Sequence, residues 1–486
     1  MAKESQELKK KIITGVLVLA TRNFLLNIFS FATNLILTIL LTPQIFGVFF
    51  LVSAIISFLN YFSDIGLAAA LVQKKEEPSK EELTTVFTLQ EMLVLSIIVI
   101  ITLFSPLITQ FYKLGNDGVF LLYALLFSFF LSSLKTIPSI LLERKLEFGT
   151  LSIPQVVESF AYYLVTLVLA FLNFGVYSFA WGAIARGITG VIVIYYISPW
   201  KISFRFSFAH LKHLLTFGIP FQTNSLLALV KDDLLTLFLG KMLPLNELGY
   251  VGWAKKWAET PLRIIMDSVI RVTFPAFARL QDNKELLKRA LEKTIFVLAL
   301  LIFPATLFLL ISMKPLIFLI PKYTKWEPAI FSFYLFSIVS VMAAFSSPMV
   351  NALNSLGKIK TTLTLMIMWV LLTWIFVPLW VGFFGFQGVA ISFTIISVTS
   401  IIPIILMRRL IFFEVARGVI KPLIATIITF IPMYFLLNNI SNILQLLIGL
   451  SVGGAIFLIL VYFFMRKEII PFIPQKLQLL TPFHKE

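Results

Sequence analysis

The sequence predicts an all-α integral membrane protein of fourteen transmembrane helices, with two parallel six-helix lobes around a central cavity and two further C-terminal helices. Three observations predict it. First, 59% of the 486 residues are hydrophobic and only 13% charged, with 50 Phe and a mean hydropathy of +0.96, whereas soluble domains carry about a quarter charged residues. Second, the apolar runs recur at the ~20-residue length that crosses ~30 Å of hydrocarbon. Third, the basic residues gather on one side of the resulting topology, and the chain repeats itself at an offset of about 200–210 residues.

Taken in order, the spans fall at 13–41, 46–72, 84–111, 118–142, 150–172, 175–198, 213–240, 247–279, 286–320, 326–354, 361–382, 385–407, 418–437 and 443–465. The charged start (MAKESQELKKK) runs into an apolar stretch that continues past Arg22 without a small-residue cleavage site, so it reads as an uncleaved first span. An even count puts both termini on one face. Assigning that face to the cytoplasm places most of the 40 Lys and Arg there, including Lys74, Arg144, Lys201, Lys288 and Arg408, and leaves Lys113, Lys241, Lys314, Lys322 and Lys325 outside. This is the positive-inside pattern. It accounts for the net charge of +16 as topology and excludes a nucleic-acid footprint. The absence of cysteine removes disulfides, thiolate chemistry and Cys metal sites; no cofactor or metal is expected.

The polar residues within these spans carry the functional argument, because an intramembrane charge costs at least ~2.5 kcal/mol unless paired or wetted. In the first span Asn23, Asn27, Ser30, Asn34 and Thr38 line one helical face, with Arg22 beside it. Asp64, Glu91, Lys135, Glu158 and Arg186 mark the second to sixth spans, Glu91 and Glu158 near enough to the cytoplasmic ends to reach the interface. The seventh opens with Gln222, Thr223, Asn224 and Ser225 and carries Lys231, Asp232 and Asp233. In the eighth, Lys255, Glu259, Arg263, Asp267 and Arg271 alternate in sign every four residues, a step that turns only ~40° on a helix, so they form a self-pairing ladder. Lys256 adjoins it, and Pro261 and Pro275 offer points of bending. Such a helix must face protein or water.

Leu41 to Val48 (LTPQIFGV) recurs as Leu243 to Tyr250 (LPLNELGY), Pro106-Leu107-Ile108 as Pro315-Leu316-Ile317, Pro138 as Pro348, and Phe174 to Ala180 as Phe384 to Ala390. The offset spans six helices, so both copies have the same orientation, and the site is expected between them. The domains are then 1–199 (helices 1–6), 200–410 (helices 7–12) and 411–486 (helices 13–14 and a cytoplasmic tail). The candidate cavity cations are Arg22, Lys135, Arg186, Lys231, Lys255, Lys256, Arg263 and Arg271. Asn23, Asn27, Asn34, Gln222 and Asn224 form its polar lining, and Asp64, Asp232, Asp233, Glu259 and Asp267 pair with the cations or couple an ion. The competing reading of the polar residues is packing between helices.

Asp64 to Lys75 (DIGLAAALVQKK), followed after a short acidic loop by Thr85-Val86-Phe87, resembles the end of the second span and start of the third in Wzx-type oligosaccharide flippases. Phe274 to Asp282 (FPAFARLQD) resembles the segment closing their eighth span. The resemblance implies the multidrug/oligosaccharidyl-lipid/polysaccharide exporter superfamily and a flippase that moves undecaprenyl-diphosphate-linked oligosaccharide to the outer leaflet of the bacterial inner membrane by alternating access. It implies a lipid-linked glycan and membrane lipid as partners, polysaccharide polymerases or glycosyltransferases as candidate associates, and a monomer. On that reading Lys and Arg neutralise the diphosphate, amides bond sugar hydroxyls, and Trp253 and Trp257 stack on sugar faces or anchor at the interface. Two rivals remain. An organic-cation antiporter on the same scaffold would use the Asp residues, while a membrane-embedded glycan-processing enzyme would need a large outer loop and a general base. Here the outer loops are short, and His210, His213 and His484 fall in cytoplasmic segments.

Overall fold

The computed structural model describes residue 22 and residues 26–74, 76–438 and 440–469; the side chains of 209–225, 267, 268, 271, 272 and 467 lie outside that description. All regular structure among the described residues is helical: α1 (Leu26–Leu40), α2 (Pro43–Asp64), α3 (Leu67–Gln73), α4 (Lys80–Tyr112), α5 (Asn116–Leu134), α6 (Thr136–Arg144), α7 (Phe148–Phe171), α8 (Val176–Ile197), α9 (Phe208–Met242), α10 (Leu245–Arg279), α11 (Lys284–Leu319), α12 (Ile330–Ser355, entered by a 3-10 turn), α13 (Ile359–Phe384), α14 (Gln387–Ser397), α15 (Ile401–Leu410), α16 (Val415–Leu437) and α17 (Ile443–Ile469). Eleven spans among these are long and apolar enough to cross a membrane. From α2 onward the outer helix ends fall within a few residues of the expected span limits, while the expected start of the first span at residue 13 lies outside the described residues.

Three expected spans are broken, 46–72, 118–142 and 385–407, the last by a 3-10 turn at Val398–Ser400 between α14 and α15. Ile65 (φ 49°) and Gly66 (φ 75°) are both left-handed and end α2. The Asp64 carboxylate then accepts the Ala68 N–H at 2.9 Å and caps α3, satisfying a donor the helix start leaves open. At the far end of α3 the Arg144 guanidinium donates to the carbonyls of Leu71, Val72 (3.3 Å), Lys74 (2.7 Å) and Glu76 (2.7 Å). Ser79 and Glu82 form a capping box that starts α4, and Glu82 also takes Lys74 at 2.7 Å. The second break, at Lys135, separates α5 from α6. In contrast, α10 continues through Pro261 and Pro275 without interruption. The segment from Ala278 to Lys293 is the end of α10, a short turn and the start of α11.

The chain forms two compact units, Met1–Gly252 with Trp369–Pro378, and Trp253–Met368 with Leu379–Glu486. In the first, α7 packs along α8, α8 on α5, and α9 on α2, α3 and α4. In the second, α16 packs between α11 and α17, and α12 against α14 and α15. Large apolar side chains such as Leu103, Ile192, Phe383 and Phe463 stand exposed on the helices, as lipid-facing surfaces require. The unit limits differ from the repeat limits at 199 and 410 because repeats record sequence likeness, whereas α9 packs on helices that precede it.

Positive-φ residues recur at about the offset of the sequence repeat. Lys113 and Lys322 are left-handed (φ 53° and 64°), as are Leu146 and Gly357 (φ 57° and 72°). Gly175 (φ 59°, ψ −126°) and Gly385 (φ 56°, ψ −142°) share a conformation open to glycine alone. The matched octapeptides also meet. A Cβ on Gly47 would overlap the Leu245 carbonyl, and one on Gly249 would overlap the Pro43 carbonyl. Since Pro43 aligns with Leu245 and Gly47 with Gly249, this is a reciprocal contact of the kind a two-fold axis produces.

Candidate functional site

A cavity of about 530 Å³ lies within the first unit, lined by α2, α3, α4, α5, α6 and α9. Its size is that of a small-molecule site, ~300–1,000 Å³. Along α2, Ser57, Asn60 and Asp64 recur at helical spacing on one face and line it with Tyr61. From α9 come Asp232 and Asp233, and Ser57 donates to Asp233 at 3.0 Å. Gln90, Phe129, Ser132, Ser133 and Thr136 complete the wall. Gln90 is 5% exposed and its Nε2 donates to Thr136 at 2.9 Å, while its Oε1 has no partner among the described residues. Among the described residues, three carboxylates and no Lys or Arg line this chamber.

The expected cations in the first unit are placed otherwise. Lys135 pairs with Glu158, and Arg186 lies 3.7 Å from the same carboxylate. Glu158 is 6% exposed and Glu91 3%, so both are buried rather than reaching the interface. Arg22 donates to Gln155 on α7. On α1, Asn34 bonds back to Ser30, to its carbonyl at 2.6 Å and its hydroxyl at 3.2 Å, and Thr38 donates to the Leu35 carbonyl, as helix-packing polar groups do. Asn27 and Lys231 are half-buried and do not line the chamber.

In the second unit the upper part of the α10 ladder forms as its spacing predicts. Glu259 accepts Arg263 at 2.8 Å and lies 3.9 Å from Lys255, and the Lys255 ammonium sits 5.4 Å from the centre of the Phe393 ring. Lys256 and Arg263 are exposed. Among the described side chains, the result is a strip of Lys255, Lys256 and Arg263 with one carboxylate, Glu259, between them. Trp253 and Trp257 do not serve as sugar platforms or interfacial anchors. Trp253 is 1% exposed, stacked on Trp326 at 5.2 Å with Tyr323 and Phe333 beside it, and Trp257 is buried next to it. Asn23 and the side chains of Gln222, Asn224, Asp267 and Arg271 fall outside the described residues.

Sequence reasoning missed Asn60, Tyr61, Gln90, Ser132, Ser133 and Thr136. The spacing of Ser57, Asn60 and Asp64 was the signal that could have found the first of them.

A family model described as polysaccharide biosynthesis protein matches residues 36–330. Among curated proteins, the chain is 24% identical over 402 residues to an uncharacterized membrane protein in the cps region of Klebsiella pneumoniae, covering 80% of each chain. It is also 24% identical over 404 residues to the lipopolysaccharide biosynthesis protein WzxC of Escherichia coli (strain K12), covering 81% of this chain and 80% of that one. Among solved structures, the lipid II flippase MurJ, inward closed conformation, superposes with a TM-score of 0.72 at 16% identity, covering 92% of this chain and 99% of that one; this likeness is one of fold.

Proposed function

The chain belongs to the polysaccharide biosynthesis protein family, and from that premise we propose that it is a flippase carrying polyprenyl-diphosphate-linked oligosaccharide from the inner to the outer leaflet of the bacterial cytoplasmic membrane. The observation that supports this reading is the α10 strip: Lys255 and Arg263 flank Glu259 and Lys256 is exposed beside them, so among the described side chains of the strip basic groups outnumber carboxylates. The polyprenyl tail can remain in the bilayer, so the protein need shield only the headgroup and glycan from ~30 Å of hydrocarbon. Outward movement of two negative charges gains about 4–5 kcal/mol per 100 mV of inside-negative potential if no countercharge moves, so an ion gradient is not required.

In this proposal α1, α9 and α10 cross the membrane with the eleven apolar spans, giving fourteen. Residues 1–199 and 200–410 act as two lobes in alternating access, followed by 411–486, with both termini cytoplasmic and the chain a monomer. The paired turns at 113 and 322, 146 and 357, and 175 and 385 support the division. Glycosyltransferases that build the glycan and polymerases that extend it are the partner classes this role calls for. The acidic chamber beside Asp64, Asp232 and Asp233 favours one other reading, an organic-cation antiporter.

Reconstitution separates them. In proteoliposomes, lipid-linked oligosaccharide should appear on the outer face, and replacing Lys255, Lys256 and Arg263 together by neutral residues should reduce that flux at least about tenfold, with loss of charge-assisted contacts of ~1.5–3 kcal/mol each. Organic-cation export that survives the same replacement, with no movement of glycan, would establish the antiporter.

A further inference from the structure

We propose that a second cavity of the first unit, of about 470 Å³, is a site for the phosphate of a lipid headgroup, bridging the two sequence repeats at the outer face. The chemistry of the wall assigns the phosphate, and the outer face follows from the orientation proposed with the flippase reading. The cavity lies where α4 and α9 end and α2 and α10 begin. Lys113 and Lys241 put two ammonium groups in its wall, and Gln44, Tyr112 and Asn246 add side-chain donors. Among the described residues no carboxylate lines it, and Asp117 and Glu247, close by in the chain, stand outside the wall. Neutral groups hold Lys241. Its Nζ donates to the Phe111 carbonyl at 3.3 Å and stands 4.1 Å from the centre of the Phe111 ring, contacts that fix an ammonium without cancelling its charge. The Lys113 ammonium and the Gln44 and Asn246 amides have no hydrogen bond or ion pair among the described residues. Lys74, Lys135 and Arg186 of the same unit are instead held by Glu82 or Glu158.

Two further observations favour a lipid as the source of the phosphate. Leu103, Leu107 and Phe111 recur every four residues along α4 and are all exposed, which makes one face of the helix a track for an acyl chain. The track ends at the cavity, where Phe111 and Tyr112 form the kind of aromatic pair common at a membrane–water interface. A lipid lying along that face would bring its phosphate to Lys113. The cavity also borders the first turns of α2 and α10 through Gln44, Leu245 and Asn246, and helix starts have N–H groups without intrahelical partners and favour anions. The donors come from both repeats, Gln44 and Lys113 from one, Lys241 and Asn246 from the other. A phosphate held by all four ties α2 to α10 next to Gly47 and Gly249, where the two backbones already touch, and so stabilises that contact.

The test uses the detergent-solubilised full chain and three probes: short-chain phosphatidylglycerol, short-chain phosphatidylcholine, whose headgroup has no net charge, and inorganic diphosphate. Binding is read as a rise in the unfolding midpoint and as slower maleimide labelling of a single cysteine, M242C; Met242 is exposed in the cavity wall and is not one of the donors. Phosphatidylglycerol should slow the labelling at least about fivefold and phosphatidylcholine less than about twofold. K113Q/K241Q should need at least about tenfold more phosphatidylglycerol for the same rise in midpoint. K358Q/K360Q, which removes equal charge from exposed positions outside this cavity, should respond as the unaltered chain does. If K113Q/K241Q does not fold, protection of M242C in the otherwise unaltered chain decides. Equal protection by the two phospholipids overturns the proposal, as does an equal loss of response in K358Q/K360Q. Diphosphate that protects M242C at lower concentration than phosphatidylglycerol overturns it too, marking a site for a free anion. Absence of glycan flux in proteoliposomes would remove the flippase reading and not this site, because the binding probes require no transport.

Discussion

Lys135 and Glu158 lie 23 positions apart in the chain and pair inside the helical bundle. A charge is removed from water at a cost of several kcal/mol, so the pair is held by mutual neutralisation. Glu158→Gln leaves the Lys135 ammonium uncompensated and should lower stability by ~3–5 kcal/mol, read as a fall in the thermal unfolding midpoint of the detergent-solubilised protein. Replacing both, K135M with E158L, should recover most of that loss. The sequence showed that both residues lie within spans but not that they meet, because nothing local encodes which of several intramembrane charges will be neighbours. Trp253 makes the same point: its partners Tyr323, Trp326 and Phe333 lie some seventy residues on, and the pattern around it is equally that of an interfacial residue.

At the scale of elements, the motif from Asp64 to Lys75 acquires a mechanical meaning. Its Ile65-Gly66 pair breaks the helix, Asp64 restarts it, and Arg144 collects the carbonyls at its end. Asp64→Ala should cost ~0.5–2 kcal/mol, as loss of a helix N-cap does. Arg144→Ala should raise amide hydrogen exchange across residues 67–74 while leaving α7 and α8 protected, a difference visible by mass spectrometry. Most span limits were legible in the sequence because an apolar run must be long enough to cross the hydrocarbon. The breaks were not: Ile65 and Gly66 turn left-handed and Lys135 stands between α5 and α6, with apolar helix on both sides of each. For the charge ladder of α10 the periodicity sufficed, since Lys255, Glu259 and Arg263 pair within a single helix.

For the whole molecule, the absence of cysteine offers a clean test of the proposed topology. Single cysteines at positions 113, 241 and 322 should react with a membrane-impermeant maleimide in intact cells. Cysteines at 76, 143 and 285 should react only after permeabilisation, and reversal of that pattern would refute the orientation read from the Lys and Arg distribution. The repeat was read at this scale from one octapeptide match and a few shorter ones, and positive-φ residues recur in chain order at 113 and 322, 146 and 357, and 175 and 385. The basic residues expected to line the cavity lie apart from the first unit's chamber: Lys255 and Arg263 flank Glu259 on α10, while Asp64, Asp232 and Asp233 stand in the chamber wall. Counting charges along the chain could not separate the two, because Lys135 and Arg186 are spent on Glu158.

The reciprocal overlap at Gly47 and Gly249 carries an epistatic consequence. Alanine at either position must push the same two backbones apart, and overpacking of this kind costs ~1–3 kcal/mol. Once one methyl has forced that separation, the other enters space already opened. The double variant G47A/G249A should therefore unfold at nearly the temperature of the worse single variant, well short of the summed shifts, because neighbours that share one gap register a single injury.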